Sequence, residues 1–232
     1  MDIHIVTAFP KTFDGFLDES ILKRAIKNNH VQIYLHHIRD YAVGKHKQID
    51  DYPYGGGAGM ILKPEPIIAC IEDIKDRFDL ADTPVTLMTP AGETYTQDKA
   101  VELSLRKNLV LLCGHYKGID QRALDLIVDE EISIGDYVLT GGELAAMCIA
   151  DSVVRLLPGV IGDIDSACTD SFQTGMLDHP HYTRPEIFRE QSVPAVLLSG
   201  NHKQIEQWRY RQAVERTREK RPDLLRKLEI EK

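Results

Sequence analysis

Three glycine-rich segments have the residue types best suited to holding a small ligand: LCGHYKG at Leu112–Gly118, IGDYVLTGGE at Ile134–Glu143 and PYGGGAGM at Pro53–Met60. Glycine lets backbone amides approach a ligand that side chains would keep away. The first two segments follow short apolar stretches, the position where α/β proteins build ligand sites. None of the three is a standard nucleotide fingerprint. A P-loop closes with Gly-Lys-Ser/Thr and a dinucleotide loop opens a helix with G-x-G-x-x-G, whereas Gly59 is followed by Met60 and Ile61. One such turn would be read as a tight turn and no more. Three together predict a cradle for adenosine or a similar flat group.

Other residues suit proton and charge handling. Asp170, in CTDSF, lies in a polar stretch without periodicity, where a mobile loop can bring its carboxylate to a substrate as general base. Thr169 and Ser171 beside it equally suit a helix cap, and composition alone favours the cap. Arg155 interrupts the apolar run SVVRLLPG, so a ligand or a partner must meet its guanidinium. Asp151, four residues earlier, is a ready partner, and the structural and functional readings weigh the same. His179, His181 and His202 invite a metal reading, but His-Pro-His shows no companion ligands at usable spacing. No metal site is expected, and a catalytic or phosphate-facing histidine is preferred. His36 and His37 close a strand, where exposure is the default, and receive no role.

The elements that must position these groups are legible as alternating patterns. Apolar β-branched runs at Ile3–Val6, Val31–Leu35, Val85–Met88, Leu109–Cys113 and Ile132–Ile134 predict strands. Helical periodicity marks Asp18–Lys27, Pro66–Arg77, Gln97–Lys107, Gln121–Val128 and Glu143–Leu157. That order predicts an α/β fold with a mostly parallel sheet. After Pro158-Gly159 the texture becomes rich in Gly, Ser, Thr and Asp, and a second region follows with a long helix from Ile205 to about Lys220 and a short one after Pro222. The expected division is a ligand-binding domain at 1–161, a flexible linker or lid at 162–175 and a small helical C-terminal domain at 176–232.

Charge follows the same division. The net charge of −8 argues against a globally basic nucleic-acid binder, yet residues 176–232 hold 12 Lys and Arg against 9 Asp and Glu, while residues 1–175 hold 16 against 27. Phosphate contacts depend on local cations, so a basic tail on an acidic body suits a polyanionic partner. Four dispersed cysteines without a C-x-x-C pair fit reduced thiols in a cytoplasmic protein. The strand-like start is not a signal peptide, and Asp151 and Arg155 cut the longest apolar stretch short of the ~20 residues a spanning helix needs. No membrane association is expected.

Taken in order, DYPYGGGAGMILKPEP, CGHYKGIDQR, SIGDYVLTGGE, DSVVRLLPGVIG, DSF, HYTRPE and VPAVLLSGNH resemble the bacterial tRNA (guanine-N(1)-)-methyltransferases, members of the knotted, SPOUT-type methyltransferase superfamily. The resemblance runs almost the full chain. It implies a deep trefoil knot around residues 89–142 that holds S-adenosylmethionine bent, against the general rule that chains are unknotted. The family's cofactor contacts fall on Thr89, Pro90, Ala91, Gly92, Gly114, Ile134, Gly135, Asp136, Tyr137, Val138 and Leu139, with Tyr116, Gly141 and Gly142 completing the cradle.

The resemblance also implies tRNA as partner, no DNA, and a homodimer whose site combines the knot of one subunit with the small domain of the other. The target would be the ring N(1) of the guanosine immediately 3′ of the anticodon. Arg155 and Asp170 fall on the family's catalytic pair, and Gly59, Lys117, Asp178, Arg184, His202, Trp208 and Arg209 on the substrate side. Lys117 stands where a carboxylate associated with magnesium is usual in the family. The exchange counts against magnesium as a cofactor here, and the ammonium is expected to take the cation's place. His115 replaces a frequent Arg, and Glu190 stands where Gly is usual. A non-catalytic RNA-binding module and a methyltransferase acting on a free small molecule are the competing classes.

Overall fold

The computed structural model describes residues 1–162 and 170–230. Five strands form a sheet in the order β2-β1-β6-β5-β7, where β1 is Asp2–Thr7, β2 Gln32–His37, β5 Val85–Thr94, β6 Asn108–Cys113 and β7 Glu130–Ser133. Every pairing in it is parallel, as the alternation of strand and helix requires. Two residues each from Asp50–Asp51 (β3) and Ile61–Leu62 (β4) make a separate antiparallel pair.

Parallel strands are covered on both faces, and the period-2 placement of side chains shows how. Ile3, Ile5, Leu109 and Leu111 join one buried cluster with the apolar residues of α2 (Ser20–Lys27) and α6 (Glu143–Val154). Val6, Val110, Leu112, Val85 and Leu87 point the other way, into a cluster with Ile67, Ile71 and Ile74 of α3 (Pro64–Arg77). The helices α1 (Asp14–Leu17), α4 (Gln97–Ser104) and α5 (Gln121–Ile127) complete this unit. At its edge β7 is tied down electrostatically. The guanidinium of Arg106 clasps Glu130 through Nη1 at 2.9 Å and Nη2 at 2.7 Å, and holds the Glu130 carboxyl below its usual range.

The strand β5 is longer than its apolar run predicts. Its pairing with β7 breaks between Met88 and Glu93, both of which oppose Ile132, so Thr89–Gly92 leave the ladder and return to it. Gly92 makes the detour possible. A Cβ there would overlap the backbone of Glu131 and Ile132.

His36 departs from the expectation of exposure, being only 8% exposed. It pairs with His4, which is fully buried, the His4 Nδ1 and His36 Nε2 atoms lying 3.0 Å apart, and the rings of Tyr34 and Phe78 pack on the pair. Burial pushes both imidazoles down to about 4. The unfolded chain takes up these protons near pH 6.5 and the folded chain only near pH 4, so acid favours the unfolded state across that window. Urea unfolding should give a stability that is level above about pH 7 and falls by on the order of 3 kcal/mol for each histidine down to pH 4. His36→Gln should flatten much of the fall, and equal pH profiles for the two proteins would refute this account.

The chain divides into two compact units, Met1–Gly162 and Asp163–Lys232. The expected lid at 162–175 has its centre, 163–169, outside the described residues. In the second unit a two-strand pair, Ile187–Phe188 with Gln191–Ser192, precedes helices Ala195–Leu198, His202–Lys220 and Pro222–Ile230. The turn of that pair is Arg189–Glu190, both left-handed at φ 48° and 64°, so Glu190 occupies a conformation that glycine adopts without strain. Among the described residues no helix is long and apolar enough to cross a membrane.

Candidate functional site

The three glycine-rich segments meet at the carboxyl ends of β5, β6 and β7. The Lys117 N–H donates to the Met60 carbonyl at 3.0 Å, and the Leu62 N–H donates to the Gly118 carbonyl at 2.9 Å, which joins the Pro53–Met60 segment to Leu112–Gly118. His115 bridges to Gly141, and the Gly142 N–H donates to the Gly114 carbonyl at 2.8 Å, which joins Leu112–Gly118 to Ile134–Glu143. These contacts need small residues. A Cβ on Gly142 would stand 2.9 Å from the Cα of Cys113 and 3.1 Å from the Gly114 nitrogen, and one on Gly141 would overlap Glu143 and His115.

Between the loops lies a cavity of about 410 Å³, within the range of small-molecule sites. Of the expected cofactor contacts, Thr89, Pro90, Gly114, Tyr116, Ile134, Gly135, Tyr137, Val138, Leu139, Gly141 and Gly142 line it. Ala91, Gly92 and Asp136 do not: Ala91 and Asp136 are exposed, and Gly92 faces the backbone of β7. Lys117 lines the same cavity, and Gly59 is its support, since a Cβ on Gly59 would lie 2.7 Å from the Lys117 Cγ. Leu87, Met88, Ile132 and Ala145 give the cavity an apolar floor. Tyr137 and Val138, 54% and 91% exposed, stand at its rim.

Glu143 carries no expected role from the sequence, although it is a carboxylate opening the six-residue apolar run Leu144–Ile149 of α6. It is 5% exposed; the Thr7 hydroxyl donates to its Oε1 at 2.7 Å, and its Oε2 lies 3.7 Å from the Nδ1 of His115. The His115 ring lines the cavity between Phe9 and Tyr116, and its buried Nδ1 has no hydrogen-bond partner among the described residues. This links the end of β1 to the loop after β6.

The remaining expected residues belong to one unit or the other. Arg155 follows the last turn of α6, half-buried, with its N–H donating to the Asp151 carbonyl at 3.1 Å. Asp170 is half-buried in the second unit, its carbonyl accepting the Gln173 N–H at 3.2 Å. Arg184, His202 and Arg209 are exposed there, and Trp208 is half-buried beside His179 and Tyr182. Asp178 contacts both His179 and His181, its Oδ1 accepting the His179 backbone N–H at 2.6 Å and its Oδ2 lying 2.7 Å from the His181 Nε2.

Comparison with known proteins adds to this geometry. A family model described as tRNA (Guanine-1)-methyltransferase TrmD matches residues 1–227. The chain is 52% identical over 226 residues to a Listeria innocua serovar 6a protein named tRNA (guanine-N(1)-)-methyltransferase, covering 97% of this chain and 92% of that protein. It is 53% identical over 232 residues to a protein of the same name from Bacillus cereus strain AH820, covering 100% and 95%.

Proposed function

Because this chain belongs to the tRNA (guanine-1)-methyltransferase family, we propose that it transfers a methyl group from S-adenosylmethionine to N(1) of the guanosine immediately 3′ of the tRNA anticodon. The observation that carries the reading is the cavity of about 410 Å³ lined by the turns after Met88, Cys113 and Ser133, two of them in the glycine-rich segments, a size suited to a small-molecule cofactor. The detour of β5 past Gly92 and the seating of Gly142 on Gly114 support a knotted path through residues 89–142.

S-adenosylmethionine, when bound, supplies a methyl already activated on a positive sulfur. The chain's own residues handle the base. Guanine N(1) holds a proton at neutral pH, and its lone pair becomes nucleophilic as that proton leaves. Asp170 accepts it. Negative charge then grows on the neighbouring carbonyl oxygen, where the Arg155 guanidinium stabilises it more in the transition state than in the ground state. Positioning supplies much of the remaining rate. Asp178, Arg184, His202, Trp208 and Arg209 meet the RNA from the second unit, by charge and by stacking. The exposed Tyr137 and Val138 at the cavity rim support a second copy of the chain closing the site in a homodimer. The enzyme acts in the cytoplasm, where its tRNA substrate is found.

The test is to incubate the protein with methyl-labelled S-adenosylmethionine and a tRNA carrying guanosine after the anticodon, with and without magnesium, and locate the label. Label on N(1) of that base is expected, and comparable turnover without magnesium is expected if the Lys117 ammonium replaces the cation. Label elsewhere, or on free guanosine alone, would contradict the proposal.

A further inference from the structure

In the second unit, one ligand atom from each of Asp178, His179 and His181 lies within 4.8 Å of the other two. His181 Nε2 is 2.7 Å from Asp178 Oδ2, and His179 Nε2 is 3.7 Å from Asp178 Oδ1. The side chains of Asp178 and His179 are only 16% and 15% exposed, whereas that of His181 is 69% exposed.

The hydrogen bonds around this cluster resemble the supporting shell of a metal ligand set. His179 Nδ1 lies 3.1 Å from the Pro180 carbonyl oxygen, which only accepts, so Nδ1 carries the proton. In the neutral ring, Nε2 then turns a lone pair toward a carboxylate oxygen. Two electron-rich atoms face each other at 3.7 Å, an arrangement that a cation between them relieves. Histidine ligands characteristically donate their other ring N–H to a carbonyl or carboxylate in this way. Asp178 is held from three sides: its N–H donates to the Ser171 hydroxyl at 3.0 Å, its carbonyl accepts from Arg216 at 3.4 Å, and its Oδ1 accepts the His179 N–H at 2.6 Å.

The spacing is also close to what an ion requires. Ligands about 2.1 Å from a tetrahedral ion stand roughly 3.4 Å apart. The His179–Asp178 separation of 3.7 Å is near that already, the three ligand atoms all lie within 4.8 Å of one another, and the His181 ring, 69% exposed, has room to adjust.

We propose that Asp178, His179 and His181 form a three-ligand site for a divalent late first-row transition ion of the zinc class, its fourth position left to water or an anionic oxygen. Two imidazoles and one carboxylate select zinc, cobalt or nickel over magnesium, which requires oxygen ligands. The proposal stands independently of the methyl-transfer reading.

Trp208 is the chain's one tryptophan, and its ring centroid is 6.3 Å from that of His179, which makes it a built-in reporter. The chelator-treated full chain is titrated separately with cobalt, zinc and magnesium chlorides, following Trp208 fluorescence and the visible absorption of cobalt. One equivalent of cobalt should quench Trp208 at micromolar concentration or below, with the intense visible bands of a four- or five-coordinate site. Zinc should abolish the cobalt bands, and magnesium should do neither. The doubly substituted protein, His179→Gln with His181→Gln, should lose the cobalt-induced quenching, read against its own metal-free emission, while its far-UV circular dichroism is unchanged. Equal cobalt uptake by that variant, equal responses to magnesium and zinc, or no response at all would overturn the site and leave an ordinary Asp–His ion pair. Should the variant not fold, the cobalt spectrum of the unaltered chain decides alone, since weak six-coordinate bands would equally refute it.

Discussion

Asp170→Ala is expected to abolish methyl transfer while leaving tRNA binding within a few-fold of the unaltered protein. Removing a general base typically costs about 10²–10⁴-fold in rate, and in the proposed reaction the base takes the proton whose loss creates the nucleophile, so the effect should fall on kcat. Asp170→Asn is the stricter form of the test. It keeps the size of the side chain, and the Asp170 backbone carbonyl that accepts the Gln173 N–H at 3.2 Å is untouched, but the amide has no basic oxygen to receive a proton. Single-turnover rates with saturating S-adenosylmethionine and tRNA would separate chemistry from binding. A kcat for Asp170→Asn within ten-fold of the unaltered protein would remove Asp170 from the mechanism. It would also revive the reading of this residue as a cap.

Gly92→Ala should be among the most damaging single substitutions for stability, although it adds one methyl group outside the cavity. The added Cβ would fall on the backbone of Glu131 and Ile132, and backbone inside a sheet cannot rotate aside as a side chain can. The overlap sits where the β5 ladder resumes against β7 after its break between Met88 and Glu93. Relief means pulling the two strands apart and displacing Thr89 and Pro90 from the cavity wall. Overpacking of this kind costs roughly 3 kcal/mol or more, which in a chain of this size lowers Tm by about 6–12 °C, with weaker donor binding alongside. Gly15→Ala is the control. It lies in α1 with nothing within 4 Å of its added Cβ, and alanine is the better helix former. If both variants melt together, the close strand approach at Gly92 is not as tight as described.

The regular elements were legible because their signals are local. The β-branched runs around Ile5 and Leu111 and the periodic face of α3 lie within a few residues of themselves, and all five expected strands of the sheet formed within two residues of the expected starts. The exception at the far end of β5 is instructive. Val85–Met88 is marked by its apolar run, but the continuation to Thr94 is polar and glycine-bearing, and it pairs only because β7 is there to receive it. His36 failed for a related reason, since nothing in strand 32–37 announces that His4 and Phe78 will cover it. Eleven of the fourteen expected cofactor residues line the cavity, yet the residue types indicated only that loops of this composition bind something. The resemblance to a known family gave them a ligand.

What remained hidden in the chain is a set of distances between residues far apart in it. Residue types and spacing were enough for the parallel α/β arrangement, the basic second region and the loops able to cradle a ligand, because each depends on side-chain pattern over a few turns or strands. Folding alone decided that Met60 meets Lys117 and Gly114 meets Gly142, that Gly92 slides against Ile132, and that Thr7 bonds a buried Glu143. Hydrogen bonds and steric contacts act only over a few ångströms, so they become definite when the packed sheet has brought their partners within that range.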